Sequence, residues 1–159
     1  MRNFFSRLAG EKGFGGTALA DGKLSLGKYL VHLVEQVNPS KISLNRVPQT
    51  TFWILNESRT VVGMLRRRHY LNDKLLHRGG HIGFYVQPLE RGKGYGRNAL
   101  RLALIELARL GEKRVLLTVD ADNYSSIRVI ELNGGKPEDQ RVDETSGRHF
   151  NRYWINLEK

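Results

Sequence analysis

Val86-Gln-Pro-Leu-Glu-Arg-Gly-Lys-Gly-Tyr-Gly-Arg97 is the stretch on which the reading of this chain turns. It follows a β-type run, Gly80-His-Ile-Gly-Phe-Tyr-Val86, and leads into the strongest helical pattern of the sequence. Ala99, Leu100, Ala103, Leu104, Leu107, Ala108 and Leu110 recur at helical spacing, and Gly111 is placed as a C-terminal stop. Gly92, Gly94 and Gly96 alternate, so backbone N–H groups can turn inward with no side chain blocking approach. A helix starting near Tyr95 adds unpaired N–H donors and the positive end of its dipole. Together these describe an anion site suited to a pyrophosphate.

Working outward, residues 24–37 read as a helix carrying Tyr29, Leu30, Leu33, Val34 and Val37 and ending before Asn38-Pro39. Thr51-Phe-Trp-Ile-Leu55 and Thr60-Val-Val-Gly-Met-Leu65 read as a hairpin turning at Asn56-Glu-Ser-Arg59. A short helical turn over 71–76 leads to the strand 81–86. Beyond the long helix, Arg114-Val-Leu-Leu-Thr-Val119 is a buried-type strand, 124–133 a helix stopped by Gly134-Gly135, and the runs 139–144 and 150–157 a closing hairpin around Gly147. Residues 1–22 are glycine-rich and read as loop, with a short helix over 4–8. The strand–helix–strand unit implies a parallel pair with a right-handed crossover. The expected fold is α/β, a mixed and mostly antiparallel sheet flanked by helices, in one domain over 1–159.

Composition bounds the function. With 159 residues, 40% hydrophobic and 26% charged, this is the composition of a folded globular domain. The absence of Cys excludes disulfides, thiolate metal sites and a Cys nucleophile. The most apolar stretch, 99–110, is interrupted by Arg101, Glu106 and Arg109, and 1–9 lacks a continuous apolar core, so a cytoplasmic protein that is neither membrane-bound nor metal-dependent is expected. The 26 Lys and Arg against 16 Asp and Glu leave a net charge of +10, which predicts an anionic partner. Arg91, Lys93, Arg97 and Arg101 form one basic cluster and Arg66-Arg-Arg68 a second.

Two other readings compete for the glycine loop. Gly94-x-Gly96-x-x-Ala99 satisfies the dinucleotide pattern, with Asp120 ending the next strand, but residues 87–93 intervene where the tight turn should be. A nucleotide P-loop lacks its Gly-Lys-Ser/Thr. A basic nucleic-acid-binding module needs aromatic residues among its basic patches, and only Tyr70 and Tyr95 are near enough, so nucleic acid is not favoured.

Arg91-x-x-Gly94-x-Gly96 resembles the signature of the GNAT superfamily of acyl-CoA-dependent N-acetyltransferases. The preceding strand, the long helix, the strand 115–119, Asp122-Asn123-x-x-Ser126, the Gly134-Gly135 pair and the closing hairpin fall in that family's order, from Thr51 to Leu157. The resemblance implies a GNAT-like fold whose strands 81–86 and 115–119 splay apart around acetyl-CoA. It implies that backbone N–H groups of residues 92–96 (Gly92, Lys93, Gly94, Tyr95, Gly96) hold the pyrophosphate while Arg91, Lys93 and Arg97 offset its charge. Backbone groups of Phe84 and Val86 would pair with the pantetheine arm, with Asn123 and Ser126 at the other side of the cofactor. Asn123 is equally suited to cap the helix behind it.

For catalysis, the expected reaction is direct transfer of the acetyl group from the thioester to a primary amine. His81, an imidazole at the start of the cofactor strand, is the candidate base, against a structural role for the same residue; Asp120 is the alternative. Many relatives carry a Tyr acid seven residues beyond the Asn. Here that position is Ile130, so the general acid is unassigned. The family's first strand is not evident either. The small-molecule or peptide acceptor is open, as is a homodimer. Because 66–80 and the N-terminal region are rich in Arg and His, an acceptor with a carboxylate or phosphate beside its amine is preferred over a polycation. A run of charges such as Arg66-Arg-Arg68, placed at a strand end, is otherwise expected to face solvent.

Overall fold

The computed structural model describes residues 25–158, and the short helix expected over 4–8 lies outside them. The first described element is α1, Leu26–Glu35, whose buried face is Tyr29 and Leu33. Ser25 caps it, its hydroxyl accepting from the Lys28 N–H at 3.4 Å. The chain then forms β1 (Gln49–Leu55) and β2 (Val61–Arg68), an antiparallel hairpin in which Thr51 faces Arg66 and Trp53 faces Met64. Asn56 makes the turn: its N–H donates to the Thr60 carbonyl at 3.0 Å and its side chain accepts from the Thr60 N–H at 2.8 Å. A short helix α2 (Asp73–His77), capped by Asn72, precedes β3 (Ile82–Val86). Strands β1, β2 and β3 form one three-stranded sheet in that order.

The other sheet is built from the C-terminal half. Helix α3 (Tyr95–Arg109) buries Leu100, Ala103, Leu104 and Leu107 of the stripe that the sequence spacing predicts, while Ala108 and Leu110 are exposed. It is followed by β4 (Arg114–Asp120), α4 (Tyr124–Glu131), β5 (Lys136–Val142) and β6 (His149–Asn156). The central strand is β6, antiparallel to β4 on one side and β5 on the other. Pro137 is tolerated because β5 is the edge strand, and the pairing slips between Pro137 and Asp139.

The chain divides into two compact units. One holds the described residues up to His69 together with Phe84–Gly96, and the other holds Tyr70–Gly83 and the residues from Arg97 onward. The first has its core in Tyr29, Leu33, Val61, Met64 and Tyr85, with Leu26 and Trp53 packed against it. Burying side chains of this size stabilises by about 1.5–3 kcal/mol each. In the second, Val115, Leu116, Leu117, Ile130 and Phe150 are all within 1% of complete burial.

The α/β class and the mostly antiparallel pairing agree with the sequence. The strands divide between two three-stranded sheets, with β3 and β4 in different ones; among the described residues the link before β3 is an isolated antiparallel bridge between Gly80 and Leu117. The reason is local. Gly80 adopts a left-handed φ of +63° beside β4, where a β-carbon would come within 2.3 Å of the Leu116 carbonyl oxygen. The His81 N–H donates to that carbonyl at 2.8 Å, while the Leu116 N–H is accepted by the His81 ring at Nδ1, 2.9 Å away. A side chain thus stands where a parallel ladder would use a main-chain carbonyl.

Arg66, Arg67 and Arg68 are the last three residues of β2, and all three are only partly exposed where a solvent-facing run was expected.

Candidate active site

The loop after β3 is folded by its own backbone. The Gln87 N–H donates to the Val62 carbonyl of β2 at 2.9 Å, and Pro88–Glu90 form one 3-10 turn. Gly92 and Gly94 then take left-handed φ angles of +79° and +84°. Among the described residues a β-carbon at either would meet nothing within 4 Å, so glycine is required there for conformation. Left-handed residues can turn neighbouring N–H groups to one side, as anion-binding nests do. Helix α3 starts at Tyr95, so its first unpaired N–H groups belong to the same segment. At Gly96 a β-carbon would lie 3.6 Å from the Phe84 ring and 3.7 Å from Val86, which puts the helix start on the face of β3 carrying those two side chains.

The basic residues of the loop are held differently. Arg91 folds back on its strand: its Nε donates to the Val86 carbonyl at 2.9 Å and its guanidinium lies over the Tyr85 ring, 5.7 Å from the centroid. Lys93 pairs with Glu90 at 2.8 Å, and that hydrogen bond raises the Lys93 pKa. Phe84, Val86, Arg91, Gly92, Lys93, Gly94, Tyr95 and Gly96 thus belong to one compact unit, while Arg97 continues the helix in the other.

In the second unit Asn123 caps α4, its Oδ1 accepting from the Ser126 N–H at 3.1 Å. Its own N–H donates to the Asp120 carbonyl at 2.9 Å, which ties the cap to the end of β4. Asn123→Ala is therefore expected to lower stability by about 1 kcal/mol. This would be read as a drop of about 2–4 °C in a thermal melt. A melt indistinguishable from wild type would count against the cap.

His81 is 7% exposed and its ring stands edge-on to Trp154, centroids 6.4 Å apart. With Nδ1 accepting from Leu116, the ring proton sits on Nε2. Asp120 has both carboxylate oxygens engaged, Oδ1 with Arg78 at 2.9 Å and Oδ2 with Arg148 at 2.7 Å. Arg78 also pairs with Asp143, and Arg148 reaches Asp122 at 3.6 Å. Ile130 is 1% exposed, packed in the core.

Sequence reasoning passed over Asn133 and Arg78, and read Tyr29 only as part of a helix's apolar face. Asn133 Nδ2 donates to the Arg97 carbonyl at 3.3 Å and to Val129 at 2.9 Å, tying the end of α4 to the first turn of α3. Its only mark in the sequence is its place before Gly134-Gly135. Arg78 carries no periodic signal, and the Tyr29 hydroxyl accepts from Arg66 Nη2 at 3.3 Å across 37 positions of chain. Among the described residues no His, Asp and Glu cluster could hold a metal ion, and no helix is long and apolar enough to cross a membrane.

Comparison with known proteins meets this geometry. The chain is similar in fold to a spermidine N-acetyltransferase SpeG chimera from Vibrio cholerae and hSSAT, with a TM-score of 0.65 at 17% identity, covering 98% of this chain and 87% of that one. It is also similar to a mutant of the Vibrio cholerae SpeG enzyme, with a TM-score of 0.61 at 16% identity over 82% of this chain and 74% of that one. A third likeness is to yncA from Salmonella typhimurium with its cofactor acetyl-CoA, with a TM-score of 0.52 at 21% identity over 63% of this chain and 60% of that one. No curated protein matches by sequence. The model of the acetyltransferase (GNAT) family, however, matches residues 25–134, more than half of the chain and all of the glycine loop. The chain belongs to the GNAT family of acetyltransferases, and its chemistry is acetyl-CoA-dependent N-acetyl transfer.

Proposed function

We propose that the loop of residues 91–96 holds the pyrophosphate of acetyl-CoA, and that the acetyl group passes directly from its thioester to the amine of an acceptor. The observation that carries this reading is the pair of left-handed glycines, Gly92 and Gly94, opening at the start of a 15-residue helix. The main-chain N–H groups of the loop and of the first turn of α3 donate to the phosphate oxygens. Lys93 moves from Glu90 toward the phosphates, while Arg91, fixed on Val86 and Tyr85, keeps a positive charge at the mouth of the loop. The backbone of Phe84 and Val86 offers the pantetheine arm a strand edge. The role of Asn123 and Ser126 toward the same arm rests on their family positions.

In the transfer the amine nitrogen attacks the carbonyl carbon and the C–S bond breaks. The amine loses a proton and the departing thiolate of CoA gains one. A backbone N–H of the cofactor strand stabilises the oxyanion. The buried His81, which accepts from Leu116, supports a role in fixing β4 more than one in taking the amine proton, and the doubly paired Asp120 likewise supports an anchoring role. Proton transfer through water then serves both steps.

The test is a thermal melt with acetyl-CoA and an acceptor screen read by release of the CoA thiol, against which a chain with no Cys gives no background. At a ligand concentration of 100 times Kd the stabilisation is about 2.7 kcal/mol. For a chain of this size that amounts to about 5–10 °C. Saturable binding of duplex or single-stranded oligonucleotide, with no response to acetyl-CoA, would overturn the proposal.

A further inference from the structure

The Gly134-Gly135 pair that stops α4 also sets the direction of the side chain in front of it. Gly134 is left-handed, with φ +86°. At Gly135 a β-carbon would clash with the Ile130 side chain and lie 2.9 Å from its carbonyl oxygen. The Gly134 and Gly135 N–H groups donate back to the Glu131 and Ile130 carbonyls at 2.9 and 3.0 Å, so the chain leaves the helix along a defined path. The Asn133 N–H donates to the Ile130 carbonyl at 3.0 Å. Its side chain then turns to two further carbonyls, Val129 of α4 at 2.9 Å and Arg97 of α3 at 3.3 Å. Both partners are acceptors, so the group between them is the amide nitrogen and not the amide oxygen. The bond to Val129 is local to α4. The bond to Arg97 crosses 36 positions of chain to another helix.

The helix it reaches is weak where it starts. Gly94, just before the first helical residue, has no side chain with which to cap it. Gly96 is the second residue of the helix, and glycine is a poor helix former. The first turn holds no acidic residue, and Arg97 puts a positive charge at the positive end of the helix dipole. These residues suit a phosphate site, because no side chain competes for the main-chain N–H groups. They also leave the turn that presents those groups with little support of its own. The Arg97 carbonyl belongs to that turn, and a donor anchored in α4 supplies support from outside it.

We infer that Asn133 is a positioning residue for acetyl-CoA: by holding the Arg97 carbonyl it keeps the first turn of α3 wound, so that the N–H groups of that turn are presented to the pyrophosphate. The inference rests on the pyrophosphate reading above and extends it to a residue that acts through the helix. It also gives the Gly134-Gly135 pair a part in cofactor binding, since the turn that the pair makes is what aims Asn133.

The experiment titrates acetyl-CoA calorimetrically into wild type, Asn133→Ala, Asn133→Ser and Asn56→Ala, each well below its melting range. Asn133→Ala loses both side-chain bonds. Asn133→Ser keeps a hydroxyl able to return to Val129, four residues back, but too short to reach Arg97, so it preserves α4 and removes only the contact with α3. Asn56→Ala is the control, losing a bond of the same kind at the β1–β2 turn. Both Asn133 variants are expected to raise the Kd for acetyl-CoA at least about threefold, the worth of one neutral hydrogen bond, with Asn56→Ala at the wild-type value. A role confined to stability would lower the melting midpoint without moving the Kd of the folded protein. A wild-type Kd in Asn133→Ser, or an equal rise in Asn56→Ala, would overturn the inference and leave the acetyl-transfer reading standing. Failure of wild type to bind acetyl-CoA would overturn both.

Discussion

Gly94→Val is expected to abolish the acetyl-CoA-dependent rise in melting midpoint while the melt of the free protein stays close to wild type. Gly94 sits at φ +84°. A left-handed conformation costs an L-residue about 1–2 kcal/mol, and a β-branched side chain is worse suited to it. A β-carbon there meets no neighbour among the described residues, so the described core is not disturbed. The loop relieves the strain by flipping φ to a negative value, which re-aims the N–H groups proposed to hold the pyrophosphate. At about 1.4 kcal/mol per tenfold, losing two such donors to a phosphate weakens binding about 100-fold or more. Gly96 gives the contrasting case. It is helical, and a β-carbon there makes ordinary contact with Phe84 and Val86, so Gly96→Ala should bind almost normally. The branches of Gly96→Val would crowd both side chains and displace the start of α3, with loss of binding. An unchanged ligand-induced shift in Gly94→Val would mean that the anion site lies elsewhere.

Gly80→Ala is expected to give the largest loss of stability, at least about 3 kcal/mol. Two independent costs coincide at this residue. The φ of +63° is left-handed, and the added β-carbon would lie 2.3 Å from the Leu116 carbonyl oxygen and 2.9 Å from its carbon. Both are backbone atoms of a buried strand, which cannot turn aside as a side chain does. Moving them breaks the pair of bonds that His81 makes with Leu116, at 2.8 and 2.9 Å. A midpoint about 6–12 °C lower follows. Gly111→Ala is the control, since Gly111 has φ +88° with nothing among the described residues within 4 Å of a β-carbon and loses only the conformational term of about 1–2 kcal/mol. Equal losses at the two positions would remove the steric part of this argument.

What the sequence disclosed, and what it hid, divides by the range of the interactions. Helix α3, the β1–β2 hairpin with its Asn56 turn and the glycine loop were legible because periodicity, caps and left-handed glycines act within a few residues. The cap made by Asn123 was legible for the same reason. The link between Gly80-His81 and β4 was not, because it depends on an imidazole accepting a main-chain N–H 35 positions away. Arg66-Arg-Arg68 read as a solvated strand end, because burial of a charge is decided by what covers it. For Arg66 that is α1, through Tyr29. Asp120 looked available as a base until Arg78 and Arg148, 42 and 28 positions from it in sequence, are seen on its two oxygens.

The most direct measurement is the structure of the protein with acetyl-CoA bound. The account predicts pyrophosphate oxygens about 2.7–3.2 Å from main-chain nitrogens of residues 92–96, with Gly92 and Gly94 still left-handed and Arg91 still on the Val86 carbonyl. A pyrophosphate held at any other part of the chain, with the N–H groups of this loop turned to solvent, would contradict it.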